Sequence, residues 1–81
     1  MSQTLNAATV LDLKGLLCPL PVVKIAQAIK KTQVGDLIEA TASDPGVLAD
    51  IPAWARSTGN ELVSMEKVSA NEFRFVVKRV K

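Results

Sequence analysis

The chain has 81 residues, 48% of them hydrophobic, and a formal net charge of +2. This length allows one small domain with a single core, and the hydrophobic content excludes a disordered chain. The net charge is too small to predict nucleic-acid binding, and the basic residues are spread along the chain except for a short basic end at residues 78–81, which we interpret as solvated.

The cysteine and histidine content limits which disulfides, metal sites and catalytic mechanisms are possible. The single cysteine, Cys18, allows no internal disulfide and no cysteine-based metal site. The lack of histidine removes Cys–His and Ser–His catalysis and the commonest metal ligand. No apolar run approaches the roughly 18 residues of a membrane-spanning helix, and no charged segment leads into an apolar core at the start. We therefore expect a cytoplasmic protein with a free thiol, no metal and no membrane contact.

Hydrophobic periodicity predicts six elements after a loose lead-in over residues 1–8. Alternating apolar and polar residues indicate four strands, and apolar residues spaced by three and four indicate two helices. In chain order we predict strand 9–13, helix 21–31, strand 37–42, helix 50–58, strand 61–68 and strand 73–79. Right-handed crossovers place both helices on the same face of one sheet. The predicted fold is an α/β two-layer sandwich in one domain over residues 9–81.

Cys18 lies at the entrance of the first predicted helix, directly before Pro19 and close to Pro21. A proline is tolerated in the first helical turn because the N–H that it lacks would have no partner there. Free N–H groups and the dipole at this end favour an anion, and Lys14 and Lys24 lie nearby in sequence. We therefore expect a lowered thiol pKa and a thiolate near neutral pH.

The flanking prolines favour a reactive Cys18 over the simpler alternative. A lone cysteine is often a small buried hydrophobic residue, but such a residue needs no rigid turn after it. We expect Pro19 and Pro21 to orient the thiol rather than to stabilise the fold. In open α/β sheets, chemistry gathers where the carboxyl end of a strand meets the amino end of a helix, and the Cys18 loop lies at such a junction.

The second predicted helix carries a proline that limits where it starts. Pro52 in a helix interior would cost ~3 kcal/mol. We therefore expect a short turn over residues 45–49, with Asp50 as the N-cap and Pro52 in the first turn. Gly59 is the expected C-terminal stop.

The segment Asp12-x-x-Gly15-x-x-Cys18-Pro19-x-Pro21 resembles the Cys-Pro-x-Pro motif of the TusA (SirA-like) sulfur-carrier family. The likeness extends over about residues 10–80. Further matching segments are Val34-Gly35-Asp36, Ser43-Asp44-Pro45, Asp50-Ile51-Pro52-Ala53-Trp54 and Gly59-Asn60-Glu61-Leu62. The Cys-Pro-x-Pro motif combined with Asp-Ile-Pro-x-Trp at this spacing is strongly specific.

The resemblance implies a β-α-β-α-β-β sandwich with a mixed four-stranded sheet. It also implies that Cys18 accepts a sulfane sulfur as a persulfide and passes it to a thiol of another protein, with Gly15, Pro19 and Pro21 as motif residues that orient it. The implied donor is a cysteine desulfurase or a rhodanese-like protein, and the implied acceptor is of the DsrE/TusD type. The pathways that would use the transferred sulfur are tRNA thiolation, molybdenum-cofactor synthesis or sulfur oxidation. Such a relay is a sulfurtransferase-like carrier rather than a stand-alone turnover enzyme, and it needs an exposed thiolate but no cofactor or histidine.

The sequence departs from the family pattern at three positions. Leu17 stands where many members have arginine, Asn60 where many have histidine, and Ala55 where some have a second cysteine. The loss of arginine beside the thiol weakens the electrostatic case for an acidic partner. It leaves an apolar collar around Cys18, formed by Leu16, Leu17 and Leu20. These three leucines are either core residues or a docking patch. The candidate docking residues are Leu16, Leu17, Leu20, Lys14 and Lys24.

Two other functions compete with the carrier. One is a non-catalytic regulatory module of the same fold that binds RNA or protein, although no aromatic pair is placed for base stacking and the basic residues form no stripe. The other is a redox-sensing thiol protein, which would need a partner to supply the resolving cysteine.

Overall fold

A computed structural model describes the backbone from Ala7 and the side chains from Thr9 to Lys81. Its elements are β1 (Ala7–Leu13), α1 (Leu20–Ile29), β2 (Leu37–Ala42), α2 (Val47–Thr58), β3 (Glu61–Ser69) and β4 (Glu72–Lys78). The predicted order of strands and helices is confirmed. Of the predicted lead-in, residues 1–6 lie outside the described residues, and residues 7 and 8 belong to β1.

The four strands form one mixed sheet in the order β1-β2-β4-β3. β1 runs parallel to β2, and β4 runs antiparallel to both of its neighbours. Both helices cover the same face, because their buried side chains join one core with the inward residues of the strands. That core comprises Leu13, Ile25, Ile29, Ile38, Ala40, Ala42, Val47, Ile51, Phe73, Phe75 and Val77.

Small and large side chains alternate across the two central strands. β2 buries every second residue, as its alternating sequence predicts. Ala40 lies opposite Phe75, and Ala42 lies opposite Phe73. Each phenylalanine ring therefore has a small partner beside it under the helices, which leaves room for the ring in the core.

Helix α1 is shorter than the sequence predicts. It ends at Ile29 because the N–H groups of Lys31 and Thr32 donate to the carbonyls three residues back, at 3.0 and 3.2 Å. Lys30 and Lys31, which the predicted range 21–31 places in the last helical turn, therefore lie at the C-cap and beyond it. The guanidinium of Arg79 donates to the carbonyls of Ile29 and Thr32 instead. The basic end of the chain thus includes a cap for α1, and its interpretation as wholly solvated is wrong.

Helix α2 is longer than the sequence predicts, and the assignment of Asp50 as its N-cap is wrong. The helix begins at Val47 after the N-cap Gly46, so Pro52 lies inside it. The buried face of Val47, Ile51 and Ala55, spaced by four, offsets the hydrogen bond that the proline removes. Asp50 is left in the first turn with its carboxylate free for another partner. Gly59 ends the helix in the left-handed region, as predicted, with φ at 77°.

Among the described residues, no helix is long and apolar enough to cross a membrane.

Candidate functional site

Cys18 lies in the loop between β1 and α1, where its side chain is exposed. Two side chains from the loop after β2 hold this loop in place. The hydroxyl of Ser43 accepts the N–H of Gly15 at 2.8 Å, and the carboxylate of Asp44 accepts the N–H of Cys18 at 2.6 Å. The thiol therefore lies on a loop that Ser43 and Asp44, from a distant part of the chain, hold in place. We call it the clamped loop.

Glycine suits two positions around the thiol, for different reasons. Gly15 has a φ of 88°, which side chains other than glycine rarely adopt. Gly46 has an ordinary helical φ of −56°, but a Cβ there would lie 3.3 Å from the Cβ of Cys18. The small size of Gly46 thus lets the start of α2 approach the thiol. The sequence singled out Gly15 but not Gly46.

Asp44 uses one carboxylate oxygen to hold the Cys18 loop and the other within its own loop. Oδ2 accepts the N–H of Cys18, and Oδ1 accepts the N–H of Gly46 at 3.1 Å. These backbone hydrogen bonds, the one from Cys18 foremost, lower the pKa of the Asp44 carboxyl. Asp44 therefore stays ionised to a lower pH than an ordinary aspartate, and the hydrogen bonds that its carboxylate accepts from Cys18 and Gly46 persist over the same range.

Asp50 approaches the thiol from the first turn of α2, and the Cys18 Sγ–H donates to its Oδ2. This hydrogen bond is the main cause that raises the pKa of the Cys18 thiol. Desolvation and the negative charges of Asp50 and Asp44 add to it. The expectation of a lowered thiol pKa is therefore wrong, because the carboxylate beside the sulfur raises that pKa instead.

The dipole of α1 does not lower the thiol pKa as expected, because the N–H groups at the start of this helix are largely occupied or missing. The N–H of Leu20 donates to the Leu17 carbonyl at 2.8 Å, and the N–H of Val23 donates to the Pro19 carbonyl at 3.1 Å. Pro21 has no N–H to offer. Two nearby carboxylates therefore outweigh what remains of the positive helix end.

The thiol opens onto a shallow groove between α1 and α2 of about 430 Å³. Pro19 and Val22 form one wall, and α2 supplies the other. The lining residues are Cys18, Pro19, Val22, Asp50, Ala53, Trp54 and Ser57. The groove is mostly apolar apart from one carboxylate and one hydroxyl, and it gives a partner direct access to Sγ. The sequence did not predict the groove or the role of its wall from α2.

The predicted basic residues lie away from this groove. Lys24 lines a different groove, between β1 and α1, together with Lys31. Lys14 is exposed in the loop after β1. Neither Lys14 nor Lys24 contributes to the shift of the thiol pKa. The structure therefore does not bring Lys14 or Lys24 to the sulfur, and the charge at the thiol is negative rather than positive.

The apolar collar divides into core and surface. Leu16 is half-buried and packs against the core, whereas Leu17 is 71% exposed and Leu20 is 46% exposed. Leu17 and Leu20 stay candidate docking residues on this basis. The other departures from the family pattern are structural: Ala55 lies on the buried face of α2, and the side-chain oxygen of Asn60 accepts the N–H of Val80 at 2.9 Å.

The two motif prolines differ in role. Pro19 is exposed and borders the groove, whereas Pro21 lies in the first turn of α1 and is fully buried. The ring of Pro21 is part of the packed interior, which argues that this proline also supports the fold, and the orienting role expected of both prolines stays a prediction.

Replacing Pro21 with alanine is expected to lower the free energy of unfolding by about 2 kcal/mol, since it removes buried ring carbons and loosens the unfolded chain. Urea denaturation measures the change. The neighbouring Leu20→Ala, at a 46% exposed position, is the control and should stay within about 0.5 kcal/mol of the unmodified protein. Equal stability of Pro21→Ala and the unmodified protein would show that the ring does not support the fold.

Within residues 7–81, no group of three or more histidine, cysteine or carboxylate side chains is placed to hold a metal ion. The chemistry available at the site is that of one thiol, two carboxylates and an open apolar groove.

Comparison with known proteins places the chain in a family. The family model of the sulfurtransferase TusA matches residues 9–79, and the chain therefore belongs to the TusA family. It is 44% identical over 70 residues to a putative sulfur carrier protein of Archaeoglobus fulgidus, covering 86% of this chain and 91% of that protein. It is 45% identical over 62 residues to the putative sulfur carrier protein YrkF of Bacillus subtilis, covering 76% of this chain but only 34% of that longer protein.

The fold also matches a solved structure. The SirA-like protein of Desulfitobacterium hafniense superposes with a TM-score of 0.77, covering 90% of this chain and 99% of that chain. The two sequences are only 14% identical, so this likeness supports the fold alone.

Proposed function

We propose that this protein is a sulfur carrier that accepts a sulfane sulfur as a persulfide on Cys18 and passes it to a second protein. The observation that carries the proposal is the position of the chain's only cysteine, exposed on a clamped loop at the mouth of an open groove. Membership of the TusA family and the names of its relatives support the same conclusion.

The proposed reaction is an exchange of sulfur between thiols. The Cys18 sulfur attacks the outer sulfur of a donor persulfide, the donor S–S bond breaks, and a new S–S bond forms on Cys18. The products are the Cys18 persulfide and the donor thiol, so the step needs no external oxidant, reductant or cofactor. A second exchange of the same kind moves the sulfur to the acceptor. The protein thus works as a carrier between two partners rather than as a stand-alone enzyme.

The proposed partners follow from this chemistry and from the family. A cysteine desulfurase or a rhodanese-like protein presents a persulfide and fits the donor role, and a DsrE/TusD-type protein fits the acceptor role. A reducing cytoplasm, where a single thiol stays free, is the proposed compartment. tRNA thiolation, molybdenum-cofactor synthesis and sulfur oxidation are the proposed routes that such an acceptor serves.

A reconstituted relay tests this function. A cysteine desulfurase, cysteine and a DsrE-type acceptor are mixed with and without the protein, and mass spectrometry follows the sulfur on the acceptor cysteine. We expect the protein to accelerate transfer, because its groove lets either partner reach Sγ. The matched control is the same protein alkylated on Cys18, which should give no acceleration. An equal acceleration by the alkylated protein would overturn the proposal.

A further inference from the structure

Asp50 contacts the sulfur that the proposed relay uses, although the transfer needs that sulfur as an anion. The thiolate, not the thiol, attacks a persulfide. The Cys18 Sγ–H instead donates to the Asp50 carboxylate, and the Asp44 carboxylate accepts the backbone N–H of the same residue. Because the contacts around Cys18 disfavour the thiolate, a relay protein built in this way must gain its thiolate through an interaction with a partner.

The surroundings of the thiol supply no compensating positive charge. The titratable groups that face Cys18 are Asp50 from α2 and Asp44 from the loop after β2. The α1 side of the groove contributes Pro19 and Val22, and Lys24 of the same helix faces the separate groove beside β1. Over the described residues the only ion pair joins Arg74 and Glu66 on the sheet. Neither aspartate is therefore paired with a cationic side chain in the part of the chain that the structure describes.

We propose that Asp50 is a functional residue of the sulfur relay: it holds Cys18 as a protonated thiol, and a positively charged side chain of the docked donor frees the thiolate by pairing with the Asp50 carboxylate. This proposal rests on the proposed carrier function and names the chemistry of the donor surface that faces the groove. The groove beside Asp50 gives such a side chain room to enter. An arginine suits the task, since its planar guanidinium binds a carboxylate through two parallel hydrogen bonds.

Pairing with the donor cation takes the Asp50 carboxylate away from Sγ–H, and the thiol proton passes through water to the donor sulfur that leaves. The Cys18 sulfur bonds to the outer sulfur of the donor persulfide while the donor S–S bond breaks. Cys18 ends as a persulfide and the donor as a thiol, with no net change in charge or oxidation state.

The variant Asp50→Asn separates this role from a merely structural one. It keeps the size of the side chain but removes the negative charge that opposes the thiolate. We expect the pH midpoint of Cys18 alkylation by iodoacetamide to move down, and the alkylation rate at pH 7 to rise about tenfold. Loading by a saturating cysteine desulfurase should rise by a smaller factor than alkylation, because the docked donor already neutralises Asp50 in the unmodified protein. Loading at low donor concentration should fall, because the donor cation loses its carboxylate partner.

Two control variants accompany this measurement. Glu61→Gln removes one exposed carboxylate from β3 and should leave the alkylation profile unchanged. Asp50→Glu keeps the charge and should hold the alkylation midpoint above that of Asp50→Asn. Thermal unfolding, followed by the fluorescence of the single tryptophan, Trp54, confirms that each variant is folded.

Two results would overturn the proposal. One is an alkylation profile that Asp50→Asn leaves unchanged, which would show that Asp50 does not hold the proton. The other is donor loading that rises by the same factor as alkylation, which would show that docking brings no compensating charge. Failure of the carrier function itself looks different: the unmodified protein would gain no sulfur from the desulfurase, while alkylation would still report on Asp50.

Discussion

Replacing Phe75 with alanine is expected to lower the free energy of unfolding by about 3–5 kcal/mol. Phe75 lies in β4, with Ala40 of β2 on one side and Met65 of β3 on the other, and its side chain is 0% exposed. Truncation removes most of the ring from the middle of the core, and the strands on both sides prevent the sheet from closing over the cavity. Because domains of this kind are stabilised by only about 5–15 kcal/mol, the variant should be close to unfolded at 37 °C.

Urea denaturation followed by Trp54 fluorescence measures this loss. Val10→Ala is the control, since Val10 is 70% exposed on the edge strand β1. That variant should stay within about 0.5 kcal/mol of the unmodified protein. A loss below about 1 kcal/mol for Phe75→Ala would be incompatible with a core centred on β4.

Replacing Cys18 with serine is expected to abolish sulfur loading and relay completely. Serine offers a hydroxyl in place of the thiol, and this chain has no other cysteine. The unfolding midpoint should stay unchanged, because the Cys18 side chain is exposed and contributes little packing. The measurements are the reconstituted relay and urea denaturation on the same preparation.

A relocated thiol is the matched control for this variant. Ser57 lines the same groove as Cys18, so Cys18→Ser/Ser57→Cys keeps one thiol there but takes it off the clamped loop. We expect no recovery of transfer, since the sulfur is no longer held by the contacts from Ser43 and Asp44. Full recovery would show that any thiol in the groove suffices and that the loop has no positioning role.

The strands could be predicted well from the sequence because their signal is local. The alternation of Ile38, Ala40 and Ala42 follows directly from the two-residue period of a strand, and all three side chains are buried as predicted. The start of α2 could not be predicted from local rules. The cost of Pro52 argued for a later start, whereas burial of Val47 in the assembled core favours the earlier one.

The candidate site could be predicted only in part, for the same reason. The position of Cys18 on an exposed loop at a helix entrance followed from the prolines beside it. The two carboxylates that set its proton affinity come from 26 and 32 residues further along the chain. Ser43, Asp44 and Asp50 all lie in segments that resemble the family, but only the tertiary structure brings them to the thiol. A dipole argument restricted to α1 therefore gave the wrong direction for the thiol pKa.

The most direct test of the carrier function is the intact mass of the protein after incubation with a cysteine desulfurase and cysteine, taken without reductant. We predict that the unmodified protein gains one sulfur atom, that reductant removes it, and that peptide mapping locates it on Cys18. The same incubation with a rhodanese-like donor should give the same product. A protein that gains no sulfur from either donor would contradict the carrier function and favour a non-catalytic binding module built on the same fold.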